Sequence, residues 1–179
     1  MKGKVMAKDE KKTASVTEAA EPVAKKPLIP TEVDQNQFIP VINGFQGRLI
    51  YKSSRTNEKF VWQEFGYEQL MELRELRSAK NTSKSFFANN WFMFDNDHAW
   101  VIDYLGLTQY YKNALKLGDF DKIFKLSPNE IEKKIAKLSD GQRQSVCYRA
   151  KKLIEDKEID SLRVIAALEK ALGVDLIEK

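Results

Sequence analysis

Cysteine, histidine and glycine are scarce in this chain: its 179 residues include one cysteine (Cys147), one histidine (His98) and eight glycines. A single thiol excludes an intrachain disulfide, which fits an intracellular origin. Its place among Val146, Tyr148 and Ala150, inside a predicted helix, reads as a small core residue rather than a nucleophile. One imidazole excludes a multi-histidine metal site. None of the glycines is spaced as GxGxxG or as a phosphate-binding loop, and there is no HExxH. Long apolar runs are missing too, and none approaches the roughly 20 residues of a membrane helix. Lys2, Lys4 and Lys8 are not followed by the apolar stretch of a secretory signal, so a soluble chain without membrane contact is expected. Charge of one sign is not dominant: 30 basic and 26 acidic residues leave a net +4. The signs are interspersed, which permits nucleic-acid contact without arguing for it.

The few motifs that resemble chemistry are incomplete. Asp95-Asn96-Asp97 begins like a calcium loop, but Ala99 and Trp100 occupy the next ligand and the required glycine position. A turn that caps a helix is the plainer reading. Asp119 and Asp121 read as caps of a short helix. His98 with Asp95 or Asp103 offers an acid and a base but no nucleophile. No catalytic residue, cofactor, metal or small-molecule substrate is therefore expected.

What the chain does have is organisation. Residues 1–37 form a low-complexity arm: KDEKKTASVTEAAEPVAKK carries only isolated valines and cannot bury enough apolar surface to offset its ordering entropy. Pro22, Pro27, Pro30 and Pro40 favour extended backbone. Residues 38–66 read as a β-hairpin. Leu49, Tyr51 and Ser53 share one face of its first strand, and Phe60, Trp62 and Glu64 share one face of its second, around a polar loop tipped near Thr56-Asn57. Phe38, Ile39, Val41 and Ile42 suggest a short strand before it. Because a lone two-stranded ribbon is marginal in water, this one must lie on helices of its own chain or join a neighbour's sheet.

Residues 67–126 read as an aromatic-rich helical body. YEQLMELRELRSAK, residues 67–80, predicts a helix with Leu70, Leu73 and Leu76 on one stripe. Nine aromatics from Phe86 to Tyr111 follow, on short helices broken near Asp95–Asp97 and at Gly106. They form either a packed core or an aromatic docking surface. Residues 127–179 read as a three-helix unit, opened by the capping box Ser127-Pro128-Asn129-Glu130, by Ser139 and by Asp160-Ser161, and stopped at Gly173. Leu162, Ile165, Leu168 and Leu172 are expected inward on the third helix. Lys133, Lys134, Lys137, Arg143, Arg149, Lys151, Lys152 and Arg163 leave open a nucleic-acid-binding role for this unit, although acidic residues intrude on the same surfaces. The fold class expected is mainly α with a small β-hairpin (α+β).

GRLIYKSSRTNEKFVWQEFG, FFANNWFMF and LSDGQRQSVCYRA resemble a group of small virion-associated proteins of tailed bacteriophages, over about residues 39 to 175. The resemblance implies a non-enzymatic structural part of a head, neck, tail or baseplate, made in the host cytoplasm and assembled into the virion. It brings no catalytic residue with it. Its partners would be other virion proteins or further copies of the chain. On this reading the contacts fall on the arm (Pro27, Leu28, Ile29), at Phe38, on the hairpin (Leu49, Tyr51, Phe60, Trp62) and on the aromatic stretch (Trp91, Phe92).

Overall fold

Strand pairing, rather than a helical stripe, organises the middle of the chain. The computed structural model describes residues 29–177; Pro27, Leu28 and the rest of the expected arm up to residue 28 lie outside the described residues. Strands Phe38–Asn43 (β1), Leu49–Lys52 (β2), Lys59–Trp62 (β3) and Glu68–Glu72 (β4) come first, and helix Leu73–Thr82 (α1) follows directly. Then come Ser85–Ala88 (α2), Phe92–Met93 (β5), Trp100–Tyr104 (α3) and Thr108–Tyr111 (α4). Two 3-10 turns, Leu117–Asp119 and Asp121–Lys125, lead to helices Pro128–Ile135 (α5), Asp140–Glu155 (α6) and Leu162–Leu172 (α7). The architecture is α+β, with one antiparallel sheet of order β4-β1-β5 and a separate β2-β3 ribbon.

The hairpin has the expected register: Leu49 opposes Trp62 and Tyr51 opposes Phe60. Ser53 closes its loop, its Oγ accepting from the N–H groups of Arg55 at 3.1 Å and Thr56 at 3.0 Å. The ribbon is covered by its own chain. Trp62 Nε1 donates to the Val41 carbonyl at 2.8 Å, Gln69 Nε2 donates to the Val61 carbonyl at 3.0 Å, and the Tyr51 hydroxyl donates to Glu75 Oε1 at 2.7 Å.

The helix expected from residue 67 begins instead at Leu73. Residues 68–72 are a strand because β1 needs a partner: Phe38 opposes Glu72, Pro40 opposes Leu70 and Ile42 opposes Glu68. The same ladder starts α1. Its first N–H groups have no intrahelical acceptor, and those of Leu73 and Arg74 donate to the carbonyls of Gln37 and Gln35, both at 2.9 Å. Backbone carbonyls of the preceding segment thus do the work of a side-chain cap, which Glu72 does not provide.

Two apolar cores result. One runs from Ile39 to Leu107 and contains most of the aromatics. Phe92 sits at its centre, with ring centroids of Tyr51, Trp62, Phe86 and Phe87 between 4.9 and 5.6 Å away. The other joins residues 115–176 to Ile42 and Met93. Buried polar contacts fasten α6 across the junction. Gln142 accepts from the Leu115 N–H at 2.8 Å and donates to its carbonyl at 2.9 Å, and the Ser145 hydroxyl donates to the Gly44 carbonyl at 2.8 Å. The C-terminal helices start and stop where the caps predict: the capping box at Ser127 is formed, Ser139 accepts from the Gln142 N–H, and Gly173 is left-handed at φ 71°. Ile165 and Leu168 point inward, but Leu162 is 75% exposed. It is the first residue of α7, a turn short of the point where that helix meets its neighbours.

Candidate docking face

The described residues expected to make contacts separate into three groups. Leu49, Tyr51, Trp62 and Phe92 are interior. Their apolar surface is already spent inside the first core, so a contact role for these four is corrected to a packing role. Trp91 and Phe60 are half-buried at the edge of the same core. Phe38, at 61% exposure, and Ile29 remain on the surface.

Phe38 is not alone there. Alternation along β4 puts Glu68, Leu70 and Glu72 on one face and Gln69 and Met71 on the other. Met71 is buried in the core, so Leu70 is forced outward and is 55% exposed. Pairing of Pro40 with Leu70 and of Phe38 with Glu72 makes Phe38 and Leu70 diagonal neighbours across two strands. With Phe60 they line an open depression of about 300 Å³ whose other walls include Arg55, Glu58, Glu72 and Arg74.

An ionic network holds one wall of this depression. Arg55, in the hairpin loop, places Nε 3.1 Å from Glu75 Oε2 and Nη2 3.2 Å from Glu72 Oε2. Arg74 donates to the two Glu72 oxygens at 2.5 and 2.9 Å. Hydrogen bonds from Arg74, with the charges of Arg74 and Arg55, hold the Glu72 carboxyl below its usual range. Glu75 is buried in the first turn of α1, where a carboxylate also suits the helix dipole. Burial, reinforced by the Glu75 hydrogen bond, pushes the Tyr51 hydroxyl well above its ordinary range. The network ties the loop to α1 and fixes the rim of the depression. Leu70 was missed as a surface residue because a helical stripe claimed it. Period-two alternation of Glu68, Leu70 and Glu72 was the signal that would have found it.

The other motifs are structural. Asp95 Oδ1 accepts from the His98 N–H at 2.7 Å and lies 2.8 Å from His98 Nδ1, closing the turn before α3. Asp119 pairs with Lys122, and Asp121 binds Arg149 through both oxygens at 2.8 and 2.7 Å. Among the described residues no group of His, Cys, Asp and Glu side chains forms a metal site, and no helix is long and apolar enough to cross a membrane. Cys147 is half-buried against the second core. Of the basic residues on the three-helix unit, Arg149 is committed to Asp121, and Arg143 donates to the Ala171 carbonyl at the end of α7. No protein-family model, curated protein or solved structure matches the chain.

Proposed function

We propose that this chain is a non-catalytic assembly protein of a phage particle, docking onto other virion proteins or onto copies of itself. The observation that carries the reading is the adjacent exposure of Phe38 and Leu70 beside Phe60, inside a rim braced by Arg55, Glu72 and Arg74. Large apolar side chains scattered singly are ordinary, but a contiguous set within a polar rim is the composition of an interface. His98, Asp95, Asp119, Asp121, Glu75 and Cys147 serve in a turn, in ion pairs or against the core, which fits a structural role. The resemblance to tailed-phage virion proteins gives the setting. In this reading the residues before Val33 act as an extended arm, and the ribbon and helical body, ending in the three-helix unit, act as a rigid spacer. A contact made by the body raises the local concentration of the arm, so the two reinforce each other.

The test is the full chain carrying Phe38→Ser and Leu70→Ser together. Both side chains are more than half exposed, so the thermal midpoint should stay close to that of the parent. Particles assembled with this chain in place of the parent should lack it. Incorporation at the parental level would refute the face.

A further inference from the structure

We infer that the occupant of the Phe38–Leu70–Phe60 face is the segment VAKKPLI, residues 23–29, of a second copy of this chain. The inference rests on the docking reading above and names the partner of that same face. Arg55 and Arg74 are held by Glu72 and Glu75. Glu58 on the wall and Glu68 on the same strand face as Leu70 have no ion-pair partner among the described residues. The unsatisfied charge of the face is therefore negative, and Phe38, Phe60 and Leu70 supply its apolar part. Its partner should present apolar side chains interspersed with cations and little acid.

Residues 23–29 have that composition. Val23, Leu28 and Ile29 flank Lys25 and Lys26, and residues 1–28 as a whole hold seven lysines against four acids. Pro22, Pro27 and Pro30 restrict the backbone there, which lowers the entropy lost on docking. Reach is counted from Val33, where the chain leaves its own body: the five residue steps back to Leu28 span up to about 17–18 Å when extended. The segment's own face is the less accessible target. Gln35 and Gln37 are bonded to the start of α1, Gln35 Nε2 donates to the Tyr104 hydroxyl at 2.8 Å, and Val33 packs against the first core. These contacts hold residues 33–37 along α1 and α3 instead of letting them double back over Phe38.

Reciprocal charge reversal in the full-length chain tests this. One variant carries Lys25→Glu and Lys26→Glu; the other carries Glu58→Lys and Glu68→Lys, at two exposed positions. Circular dichroism confirms that each is folded, and sedimentation velocity over a concentration series reads association. The parent should self-associate, and each variant alone should associate at least about tenfold more weakly. An equimolar mixture should regain parental association, because the reversed arm of one chain meets the reversed face of the other. A monomeric parent, or a mixture no stronger than its components, would overturn the inference. The Phe38→Ser, Leu70→Ser chain separates the two failures. If it is lost from particles while the mixture fails, the face binds a different protein. If it is retained, the face itself is wrong.

Discussion

Gly141→Ala sets two physical arguments against each other. By helix propensity alone, alanine inside α6 should stabilise by up to about 1 kcal/mol. The packing says otherwise. A Cβ on Gly141 would lie 2.5 Å from Asn89 Cβ and 2.7 Å from Trp91 Nε1, and closer still to the Asn89 carbonyl oxygen. Neither partner is free to retreat. The Asn89 N–H is bonded to Ser85, the Trp91 N–H to Phe86 at 2.9 Å, and the Trp91 carbonyl accepts from Gly44 at 2.8 Å. On the other side, α6 is pinned by the two Gln142–Leu115 bonds and by Ser145 to Gly44. Overpacking a rigid site costs typically about 1–3 kcal/mol, so the net expectation is a loss of about 2 kcal/mol. For a chain of this size that lowers the thermal midpoint by about 4–8 °C. The control is Gly118→Ala, where an added Cβ meets nothing within 4 Å and the change should stay within about 0.5 kcal/mol. Urea unfolding followed by tryptophan fluorescence measures both. A Gly141→Ala protein as stable as the parent, or more so, would refute the claim that close backbone approach at this glycine joins the two cores.

Trp62→Ala should cost about 3–5 kcal/mol, because it empties a fully buried site and removes the indole hydrogen bond to the Val41 carbonyl; a loss under about 1 kcal/mol by urea unfolding would mean the ribbon is not part of the core. Stability should also fall in alkali. Burial pushes the hydroxyls of Tyr51 and Tyr111 above their ordinary value of 10.0. The folded state favours the protonated phenol, so the contribution is complete below pH 10 and is lost as pH rises from there through the raised folded values. Tyr51→Phe and Tyr111→Phe should each make the decline of stability above pH 10 shallower than in the parent, and an unchanged slope would show that the two phenols are not the titrating groups.

The sequence made some elements easy to read and hid others, for physical reasons. Caps are local, so Ser127, Ser139 and Gly173 marked the C-terminal helices directly. The hairpin was legible because alternation and a polar loop are also local. The strand at Glu68–Glu72 was not. YEQLMELRELRSAK satisfies the helical period throughout, and only the distant Phe38–Asn43 strand converts its first third into a ladder. The two-residue strand Phe92–Met93 is equally dependent on that partner, through Ile42 and Asn43. Of the two readings of the aromatic stretch, the packed core accounts for Phe87, Phe92 and Trp100, which are buried.

The pairing that makes residues 68–72 a strand also turns Leu70 outward beside Phe38. Read as a helix, residues 67–80 place Leu70 beside Leu73 in the interior; paired with β1, they turn Leu70 outward. A register slip of one residue would bury Leu70 and expose Met71. That slip is blocked at both ends of β4, where the Asn43 N–H donates to the Tyr67 carbonyl and the Leu73 N–H to the Gln37 carbonyl, both at 2.9 Å, while β1 itself is held in place. Trp62 Nε1 anchors the ribbon to the Val41 carbonyl. Asn43, fully buried, donates to the carbonyls of Gly47 and Glu64 and accepts from the Phe45 N–H, all within 2.9 Å. The exposure of Leu70 beside Phe38 is therefore imposed by contacts that the body cannot relax without losing buried hydrogen bonds, each worth roughly 1–3 kcal/mol when left unmade.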